Sequence, residues 1–314
     1  MSQTPLLIGM HVSGAKLQAA LVDTSGNVSE RVETEISPQN MIEQAAGVAR
    51  GLVAKSGNVS ALGFAIPGLV NRQTDVVMIS PAVPSTIREG LHAELIRATG
   101  LRVEIENDAN AAAYGEFKVG AGQGSRDIFY MMIGNGIGGA IILDGKLWTG
   151  SSGFAGEVGH ITIDTEGIEC VCGNTGCLET VASAPSIVRR ARERLHRDAT
   201  SSLSRLGLNK DFTADDVAHE ANEGDDFALM MIERTGKYIG TGVASVINLL
   251  NIERIILGGG VMNAGQLILN PIIQEAKRRA FQPCFEATQI VAGKLGRDAI
   301  TIGAAMLAHD AGSN

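Results

Sequence analysis

The sequence predicts an α/β fold, and three observations support this prediction. Short apolar runs of strand type alternate with stretches whose apolar residues recur at helical spacing, a pattern typical of α/β proteins. A strand–turn–strand pattern near the N-terminus returns in the middle of the chain. Glycine accounts for 39 of the 314 residues, which is about 12%, whereas about 7% is typical. These glycines cluster in short turns beside apolar runs, and such turns let backbone N–H groups approach a ligand closely, often a phosphate.

The first third of the chain contains most of the predicted strands. Aliphatic residues dominate five runs, and stretches with apolar residues at helical spacing lie between the later runs. Asn40 is a predicted cap of the first helix, and Pro67 with Gly68 ends the fourth strand. In order, we predict strands over residues 6–10, 17–23 and 28–36, a helix over 40–55, a strand over 61–66, a helix over 86–99 and a strand over 101–105.

The remainder begins with two strands and then becomes mostly helical. A glycine turn over residues 134–139 joins the two strands, and a late strand runs into Gly258, Gly259 and Gly260. No Pro/Ser-rich linker is present, so we expect any domain boundary to be crossed by ordinary elements. In order, we predict strands over 127–133 and 140–143, helices over 213–224 and 226–250, a strand over 254–257 and helices over 271–279 and 303–308.

An internal repeat is the simplest interpretation of the two strand–turn–strand patterns. The segments LLIGMHVSGAKLQAALVD, from Leu6, and FYMMIGNGIGGAIILDG, from Phe129, share the order strand, small-residue turn, strand, Asp. Two hairpins, each presenting a glycine turn towards a shared cleft, would follow from a duplication. The alternative is two unrelated β-hairpins, which are common.

Composition and charge exclude several classes of protein. Hydrophobic residues make up 45% of the chain and aromatic residues only 4%, so the expected core is aliphatic. The net charge of −8 repels phosphate backbones and disfavours nucleic acid as a partner. No apolar run reaches membrane-spanning length, and the N-terminus lacks a basic region followed by an apolar segment. We therefore expect a cytoplasmic protein with no membrane partner.

Three of the four cysteines lie close together and predict a metal site. Cys170, Cys172 and Cys177 occur in CVCGNTGCLE, after His160 in GEVGH. Thiolates and imidazole suit zinc, and four protein ligands would make a closed, structural site. The alternative is a disulfide with a free thiol, which is unusual in a chain without a signal peptide. Either His160 or Cys284 can be the fourth ligand.

Several carboxylates and histidines are candidates for chemistry. Asp108 is predicted where a strand ends and a helix begins, which is where ligands bind in open α/β sheets; the alternative is a helix N-cap. Glu157 and Glu179 flank the cysteine segment and suit fixed acceptors for sugar hydroxyls, or are solvated surface residues. We predict that the other histidines outside the first turn lie on the surface: His92, His196, His219 and His309.

Six motifs in this order resemble the ROK family of sugar kinases, repressors and open-reading-frame proteins. The resemblance covers nearly the whole chain, and the cysteine motif with its glycines and final Glu is its most specific part. The motifs are GFAIPG, IENDANAAAYGE, GNGIGGAIILDG, GFAGEVGHI, CVCGNTGCLE and ILGGGV.

The resemblance implies an actin-like ATPase (ribonuclease H-like) fold, with two α/β domains around a cleft and a last helix that returns to the N-terminal domain. We place the smaller domain at residues 1–116 plus 301–314 and the larger at 117–300, with a zinc-binding segment at 157–179. The resemblance also implies a homodimer or homotetramer. It implies one zinc held by His160, Cys170, Cys172 and Cys177.

The resemblance assigns roles to individual residues. Asp108 would be the general base that takes the proton of the sugar's primary hydroxyl as it attacks the γ-phosphate of Mg-ATP. The residues implied in sugar binding are Gly68, Asn107, Glu157, His160 and Glu179. The residues implied in nucleotide binding are Gly14, Lys16, Gly134, Asn135, Gly136 and Gly138, with Gly258, Gly259 and Gly260 near the adenosine.

The chain departs from the family pattern at three places. Kinases of the family usually open with Asp-x-Gly-Gly-Thr-Lys, whereas this chain has His11, Ser13 and Ala15 in place of the Asp, the first Gly and the Thr. Asn135 replaces a threonine in the second turn. Pro81-Ala82-Val83 stands where Pro-Asn-Leu is usual, which removes one amide near the sugar.

The residues together predict an ATP-dependent kinase that phosphorylates the primary hydroxyl of a hexose, glucose-like or an N-acetylhexosamine. The alternative is a weakly active or non-catalytic sugar-binding regulator that acts through a partner protein. The family's repressors carry an N-terminal helix-turn-helix, and the first strand predicted here begins within five residues of Met1. A zinc-dependent nucleic-acid module is disfavoured by the net charge and the single metal cluster.

Overall fold

A computed structural model of the chain describes residues 5–72, 74, 76–195, 200–209 and 211–312. It contains mixed sheets and helices, which confirms the predicted α/β class. The strands are β1 (Leu6–Ser13), β2 (Lys16–Asp23), β3 (Val28–Glu35), β4 (Val59–Ile66), β5 (Leu69–Asn71), β6 (Val76–Ile79), β7 (Arg102–Asn107), β8 (Ile128–Ile133), β9 (Ile137–Leu143), β10 (Lys146–Trp148), β11 (Arg254–Gly258) and β12 (Gln289–Ala292).

The helices follow the same chain order, and short 3₁₀ turns occur between some of them. The helices are α1 (Met41–Ser56), α2 (Leu91–Thr99), α3 (Asp108–Val119), α4 (Glu179–Ala182), α5 (Ala184–Leu195), α6 (Ser202–Asn209), α7 (Ala214–Asn222), α8 (Asp226–Leu250), α9 (Gln266–Arg279), α10 (Gln282–Ala287) and α11 (Ala299–Asp310).

Two five-stranded sheets have the same strand order. The first runs β3-β2-β1-β4-β7 and the second β10-β9-β8-β11-β12, so each begins with an antiparallel meander and continues with parallel strands. Parallel neighbours need a long crossover, which the helical segments between the strands supply. β5 and β6 form a separate antiparallel pair. The predicted repetition of the two hairpins is confirmed at the level of strand order.

The C-terminal helix α11 covers one face of the first sheet. Ile302 and Met306 of α11 pack in one apolar cluster with Leu7 and Ala61. α11 lies very close to the strands, because a Cβ on Gly63 of β4 would overlap the backbone of Ala304. The last helix therefore packs on the N-terminal strands, as the family resemblance implies.

Helices α1 and α2 cover the opposite face of the first sheet. Ile8 and Met10 of β1 share a second apolar cluster with Leu52 of α1 and Leu95 of α2. Successive residues of a strand point to opposite faces. Even-numbered β1 residues therefore belong to this cluster, and odd-numbered ones face α11.

The chain forms two compact units. The first comprises the residues up to Ser125, Ala140–Ala155 and the residues from Lys294 onward, and the second comprises Arg126–Gly139 and Gly156–Gly293. The boundaries that we placed at residues 116 and 301 for independent domains stay a prediction. None of the helices in the described part of the chain combines the length and the apolar character that a membrane-crossing helix requires.

Some predicted bounds are wrong, for local reasons. Asn40 precedes α1 but its side chain makes no capping hydrogen bond, since residues Pro38–Asn40 form a 3₁₀ turn. The helix predicted over 86–99 begins only at Leu91, after Gly90. Pro271 lies inside α9 rather than at its start.

Candidate active site

Asn107 and Asp108 lie where β7 ends and α3 begins. Oδ1 of Asn107 accepts the backbone N–H of Asn110 at 3.0 Å, and its Nδ2 donates to the carbonyl of Gly68 at 2.9 Å. Asn107 is therefore the N-cap of α3. Asp108 is the first helical residue, and its Oδ1 accepts the N–H of Ala109 at 2.9 Å. The alternative interpretation of Asp108 as the helix cap is wrong.

A buried carboxylate that the sequence reasoning missed supports this junction. Glu106 is 2% exposed, and its Oε1 accepts the N–H of Asn107 at 2.9 Å and the amide of Asn110 at 3.0 Å. Burial raises the pKa of Glu106, and the guanidinium of Arg72, 3.4 Å from Oε2, opposes that rise. In the strand sequence RVEIEN of β7, Glu106 looks like any other charged residue near a strand end, so this role becomes visible only in three dimensions.

Gly68 lies against the loop that contains Pro81, Ala82 and Val83. Its φ is +110°, and a Cβ there would collide with Ile79 and Ser80. The Ser80 hydroxyl donates to the carbonyl of Pro67 at 2.7 Å and accepts the N–H groups of Ala82 and Val83. Ser80 thus fixes the loop in which the family's usual asparagine is absent, and the sequence reasoning missed it.

The first turn, between β1 and β2, is a tight hairpin. Ser13 pairs with Lys16, and Gly14 takes the positive φ of +59°. Ser13, which replaces the first glycine of the family pattern, ends β1 in extended backbone. Lys16 is exposed and pairs with Glu33 at 2.8 Å, a contact that raises the pKa of Lys16.

His11 lies two residues before the end of β1 and is buried, with 6% exposure. Its Nε2 is 3.7 Å from Oδ2 of Asp108. Neither ring nitrogen of His11 makes a hydrogen bond to any described residue. The structure therefore brings together Gly68, Asn107, Asp108 and the residue that replaces the family's first aspartate.

The second turn consists of Gly134, Asn135 and Gly136, because β9 begins at Ile137. Residues 137–139, predicted as turn, belong to the strand. Gly134 donates to the carbonyl of Gly136 at 2.9 Å and accepts the N–H of Ala184 at 2.8 Å. Oε2 of Glu179 accepts the N–H of Ile137 at 2.6 Å. Glu179, predicted as a sugar ligand, thus also holds this turn in place.

A pocket of about 530 Å³ lies beside the second turn. Arg192 stacks over the ring of Phe212 at 5.4 Å from its centroid. The residues that line the pocket and carry its chemistry are Asn135, Arg189, Arg192, Phe212 and Thr213. Except for Asn135, the sequence reasoning missed them, because helix α5 and the segment before α7 meet only in the folded chain.

The three late glycines lead into a turn that packs against α7, whose first residue, Ala214, lines this pocket. Gly258 ends β11, and Gly259 has a φ of +89°. Gly260 opens the 3₁₀ turn Gly260–Ala264, which packs against α7. The pocket therefore lies near two of the predicted nucleotide segments, all within the second unit.

His160, Cys170, Cys172 and Cys177 form a cluster. Their four ligand atoms lie within 4.8 Å of one another, and all three cysteines are free thiols. Cys284, the other candidate for the fourth ligand, lies in α10 and is not part of this cluster. The disulfide alternative has no support among these cysteines.

The donor set and the spacing fit zinc. The Sγ atoms of Cys172 and Cys177 are 3.7 Å apart, and Nδ1 of His160 is 3.6 Å from Sγ of Cys170. A tetrahedron with Zn–S bonds of 2.3 Å has edges of about 3.8 Å. Burial and the neighbouring sulfurs raise the pKa of Cys177 to about 12, so a cation is what would make three neighbouring thiolates compatible.

The other ring nitrogen of His160 faces a carboxylate. Nε2 lies 3.9 Å from Oε2 of Glu157, and both side chains are partly exposed, at 31% and 46%. His160 thus has one nitrogen on the cysteine side and one on the Glu157 side, as its two predicted roles require.

The remaining histidines differ in burial. His219 is exposed, as predicted. His92 is half-buried, with Nε2 2.9 Å from the carbonyl of Val103, so it is less exposed than the predicted surface position implies. His309 is half-buried and contacts Asp310 at 2.8 Å. His196 lies outside the described residues.

The family model of the ROK family matches residues 7–311. The chain belongs to the ROK family. A glucokinase from Streptomyces coelicolor is 34% identical over 314 residues, which cover 97% of this chain and 98% of that protein.

Two solved ROK structures resemble the whole chain. A ROK family glucokinase from Streptomyces griseus, crystallised with glucose and AMPPNP, is 32% identical, with a TM-score of 0.87 and coverage of 97% of this chain and 99% of that one. A ROK family transcriptional regulator, a homologue of the Escherichia coli MLC protein, is 29% identical, with a TM-score of 0.87 and coverage of 97% and 78%. The actin-like ATPase fold of the ROK family is therefore confirmed for this chain.

Proposed function

We propose that the protein transfers the γ-phosphoryl group of ATP to the primary hydroxyl of a hexose, either glucose-like or an N-acetylhexosamine. The similarity to a ROK glucokinase solved with glucose and AMPPNP supports this activity. The observation in this chain that carries the proposal is the Asp108 carboxylate. It is 14% exposed and is not used as the helix cap, since Asn107 has that role.

Asp108 is the general base of the proposed reaction. It accepts the proton of the primary hydroxyl while the hydroxyl oxygen attacks the γ-phosphorus and the bond to the β-phosphate oxygen breaks, with ADP leaving. The carboxylate is held from one side by the N–H of Ala109. Asn107 and Gly68, joined by a hydrogen bond, lie beside the base and bind the sugar.

Glu157, His160 and Glu179 bind ring hydroxyls in this proposal. A carboxylate accepts hydrogen bonds from hydroxyls, and the Nε2–H of a His160 bound to metal through Nδ1 donates one. Glu179 has one oxygen on the N–H of Ile137, which leaves its other oxygen for a hydroxyl.

The zinc site is structural in this proposal. His160 Nδ1 and the thiolates of Cys170, Cys172 and Cys177 would hold one zinc, which with four protein ligands supplies rigidity and no open coordination position. The segment between them then holds the His160 ring and, two residues after Cys177, the Glu179 carboxylate.

ATP binds through the two glycine turns in this proposal. Gly14 and Lys16 at the first turn, and Gly134, Asn135 and Gly136 of the second turn with Gly138 at the start of β9, approach the phosphates through backbone N–H groups. The pocket beside Asn135 and Phe212 takes the nucleoside, because its volume of about 530 Å³ lies in the range of small-molecule sites. Gly258, Gly259 and Gly260 lead into the turn that packs against α7, and we assign them to the adenosine side of the nucleotide.

Three further properties belong to the proposal. The domains at 1–116 plus 301–314 and 117–300 are the expected independent units. A homodimer or homotetramer is expected, which light scattering after size exclusion can measure. We place the protein in the cytoplasm, where thiols such as its four cysteines stay reduced.

The test is ADP release from Mg-ATP with a panel of hexoses, with 6-deoxyglucose as a substrate that lacks the primary hydroxyl. We expect turnover with at least one hexose and none with the deoxy sugar. Asp108→Asn should lower kcat by about 10² to 10⁴, while Asp226→Asn, an exposed acid on α8, should leave it unchanged. Sugar binding by calorimetry without ADP from any hexose would contradict the kinase.

That contrary result would favour a sugar-binding regulator. Two observations support this second candidate: the similar ROK transcriptional regulator, and His11 in place of the aspartate that the family's kinases use near Mg-phosphate. A regulator would bind the sugar with the same Kd in the presence and absence of Mg-ATP.

A further inference from the structure

His11 lies on the face of the first sheet that α11 covers. Its neighbours in β1, Met10 and Val12, belong to the apolar cluster on the opposite face. Gly9, two residues earlier, points at α11, because a Cβ there would overlap the carbonyl oxygen of Thr301. Since residues two apart in a strand share a face, the imidazole of His11 points to the same side as Gly9.

On that side the ring reaches the start of α3. Nε2 of His11 lies 3.7 Å from Oδ2 of Asp108, and the two side chains are 8% and 14% exposed. Both ring nitrogens are buried and make no hydrogen bond within the described residues. A buried polar group without a partner is costly, so this ring is expected to serve a contact that forms when the site is loaded.

We propose that His11 is a positioning residue that holds the Asp108 carboxylate through an Nε2–H···Oδ2 hydrogen bond during turnover. The proposal rests on the proposed kinase activity. Hydrogen bonds among catalytic groups are often long without substrate and shorten in the complex. With Oδ1 on the N–H of Ala109 and Oδ2 on His11, both carboxylate oxygens have a fixed direction.

Two charged side chains on the elements around His11 are paired with groups other than its ring. In the sheet, His11 lies opposite Gln18 of β2 and Ala65 of β4. Lys16, two residues before Gln18, pairs with Glu33. Asp298, just before α11, pairs with Arg31. On α3, Asp108 is the carboxylate that faces the ring.

The tautomer of His11 decides whether this contact can form. A neutral ring with its proton on Nε2 donates one hydrogen bond to Oδ2 and leaves Asp108 able to accept the substrate proton.

The experiment compares His11→Leu and His11→Gln in steady-state kinetics. Leu fills the space without a donor, and Gln keeps a neutral N–H donor. We expect His11→Leu to lower kcat by about 10-fold to 10²-fold, the cost of a misplaced catalytic group, with the KM values for sugar and ATP unchanged. His11→Gln should recover most of kcat, because its amide can donate the same hydrogen bond to Asp108.

The matched control is His219→Leu, since His219 is exposed on α7 and its loss should change neither kcat nor the KM values. A second measurement covers the case in which His11→Leu does not fold. In ¹⁵N NMR spectra of the wild type with bound sugar, the His11 ring should be protonated at Nε2, and Asp108→Asn should change that tautomer.

Three outcomes decide the proposal. Wild-type turnover with a His11→Leu variant whose kcat matches the wild type would overturn the role of His11 and leave the kinase intact. A ring protonated only at Nδ1, and insensitive to Asp108→Asn, would do the same. No ADP from any hexose with the wild type would overturn the kinase, and with it the role of His11.

Discussion

The two hairpins at the same position in the two sheets are held in different ways. The first turn, with Gly14 at its tip, depends on strand pairing and on Ala15, which accepts the N–H of Ile36 at 2.8 Å. The second turn is held from outside its sheet, by the Glu179 carboxylate on Ile137 and by Ala184 on Gly134. The repeated strand order thus gives two similar hairpins. Only the second is linked to the cluster of His160 and the three cysteines, through Glu179, which follows Cys177 by two residues.

The difference also concerns what lies behind each turn. A buried imidazole, His11, lies behind the first turn and contacts Asp108. Behind the second turn lies the carboxylate of Glu179. Glu179 follows Cys177, one of the cluster cysteines, by two residues. The first hairpin therefore contacts the proposed base, Asp108, through His11. The second hairpin connects the proposed nucleotide site with the proposed metal site through Glu179.

The largest expected effect comes from loss of the proposed zinc, which should loosen the second hairpin and leave the first unchanged. Cys172→Ser should reduce zinc from about one per chain to a small fraction and weaken sugar binding by about 10-fold to 10²-fold, as loss of a metal site's support does. Hydrogen exchange should rise in β8 and β9 and stay unchanged in β1 and β2. Metal analysis, calorimetry and peptide-level exchange measure the three quantities.

Cys284→Ser is the control for this prediction, because Cys284 lies outside the cluster. It should keep its zinc and its sugar affinity. Unchanged sugar binding in a zinc-free Cys172→Ser variant would show that the metal does not organise Glu157 and Glu179.

The next effect tests the tie between Glu179 and the second turn. Glu179→Gln replaces a charged acceptor of the Ile137 N–H by a neutral one, and a hydrogen bond to a charged group is worth about 1.5 to 3 kcal/mol. We expect the KM for ATP to rise by about tenfold, as well as a weaker sugar affinity. Steady-state kinetics measure both, and Glu166→Gln, an exposed acid in the same segment, is the matched control. If only the sugar affinity changed and the KM for ATP did not, the proposed support of the second turn by Glu179 would be contradicted.

Alanine at the two turn glycines should affect different properties of the protein, ATP binding at Gly136 and stability at Gly14. A Cβ on Gly136 would lie 2.6 Å from Oε2 of Glu179, whereas a Cβ on Gly14 would have no neighbour within 4 Å but would need a φ of +59°. Gly136→Ala should displace Glu179 and raise the KM for ATP by about fivefold, the value of one ordinary hydrogen bond. Gly14→Ala should lower the free energy of unfolding by about 1 kcal/mol. Steady-state kinetics and urea unfolding distinguish the two variants. Equal KM values for ATP in Gly136→Ala and Gly14→Ala would contradict the difference between the two turns.

The smallest effect concerns acid stability in the first unit. Burial alone would raise the pKa of Asp310, but hydrogen bonds from Tyr114, His309 and Lys118 lower it to about 2. Because the folded pKa is below the unfolded one, this stabilisation is present above about pH 4 and is lost as the pH falls towards 2. Asp310→Asn should therefore cost about 1 to 2 kcal/mol near neutral pH and nothing near pH 2.

Fluorescence of Trp148, the single tryptophan and part of the first unit, can follow urea unfolding of Asp310→Asn over pH. Asp226→Asn, in the second unit, is the control. A constant difference between wild type and Asp310→Asn from pH 7 to pH 2 would refute this origin of the stability.

The sequence predicted the strands well and the contacts between distant segments poorly. Apolar runs ending at glycine place most strands within a few residues, because burial of one face dominates their energetics. Bounds failed at Asn40 and Pro271, where a 3₁₀ turn and a proline inside a helix go against local propensity. The motifs located the cluster residues His160 and Cys170, since metal ligands impose a fixed spacing.

Other parts of the site had no local signal. Nothing in the neighbourhood of His11 indicates that its ring faces Asp108, since they lie on different elements joined only by tertiary packing. The stacked Arg192 and Phe212 come from separate segments for the same reason. Glu179 was predicted as a sugar ligand, and its hydrogen bond to Ile137 was not foreseen.

The position of α11 has a consequence for synthesis of the chain. The ribosome produces β1 and β4 early, but the helix that covers Leu7 and Ala61 follows the whole second unit, which ends at Gly293. Until α11 emerges, the part of this apolar face that α11 covers stays exposed, and exposed apolar surface of this kind is prone to aggregation. The half of the protein that is made first is therefore the last to be completed, and nascent chains that stop before α11 are expected to need chaperone protection.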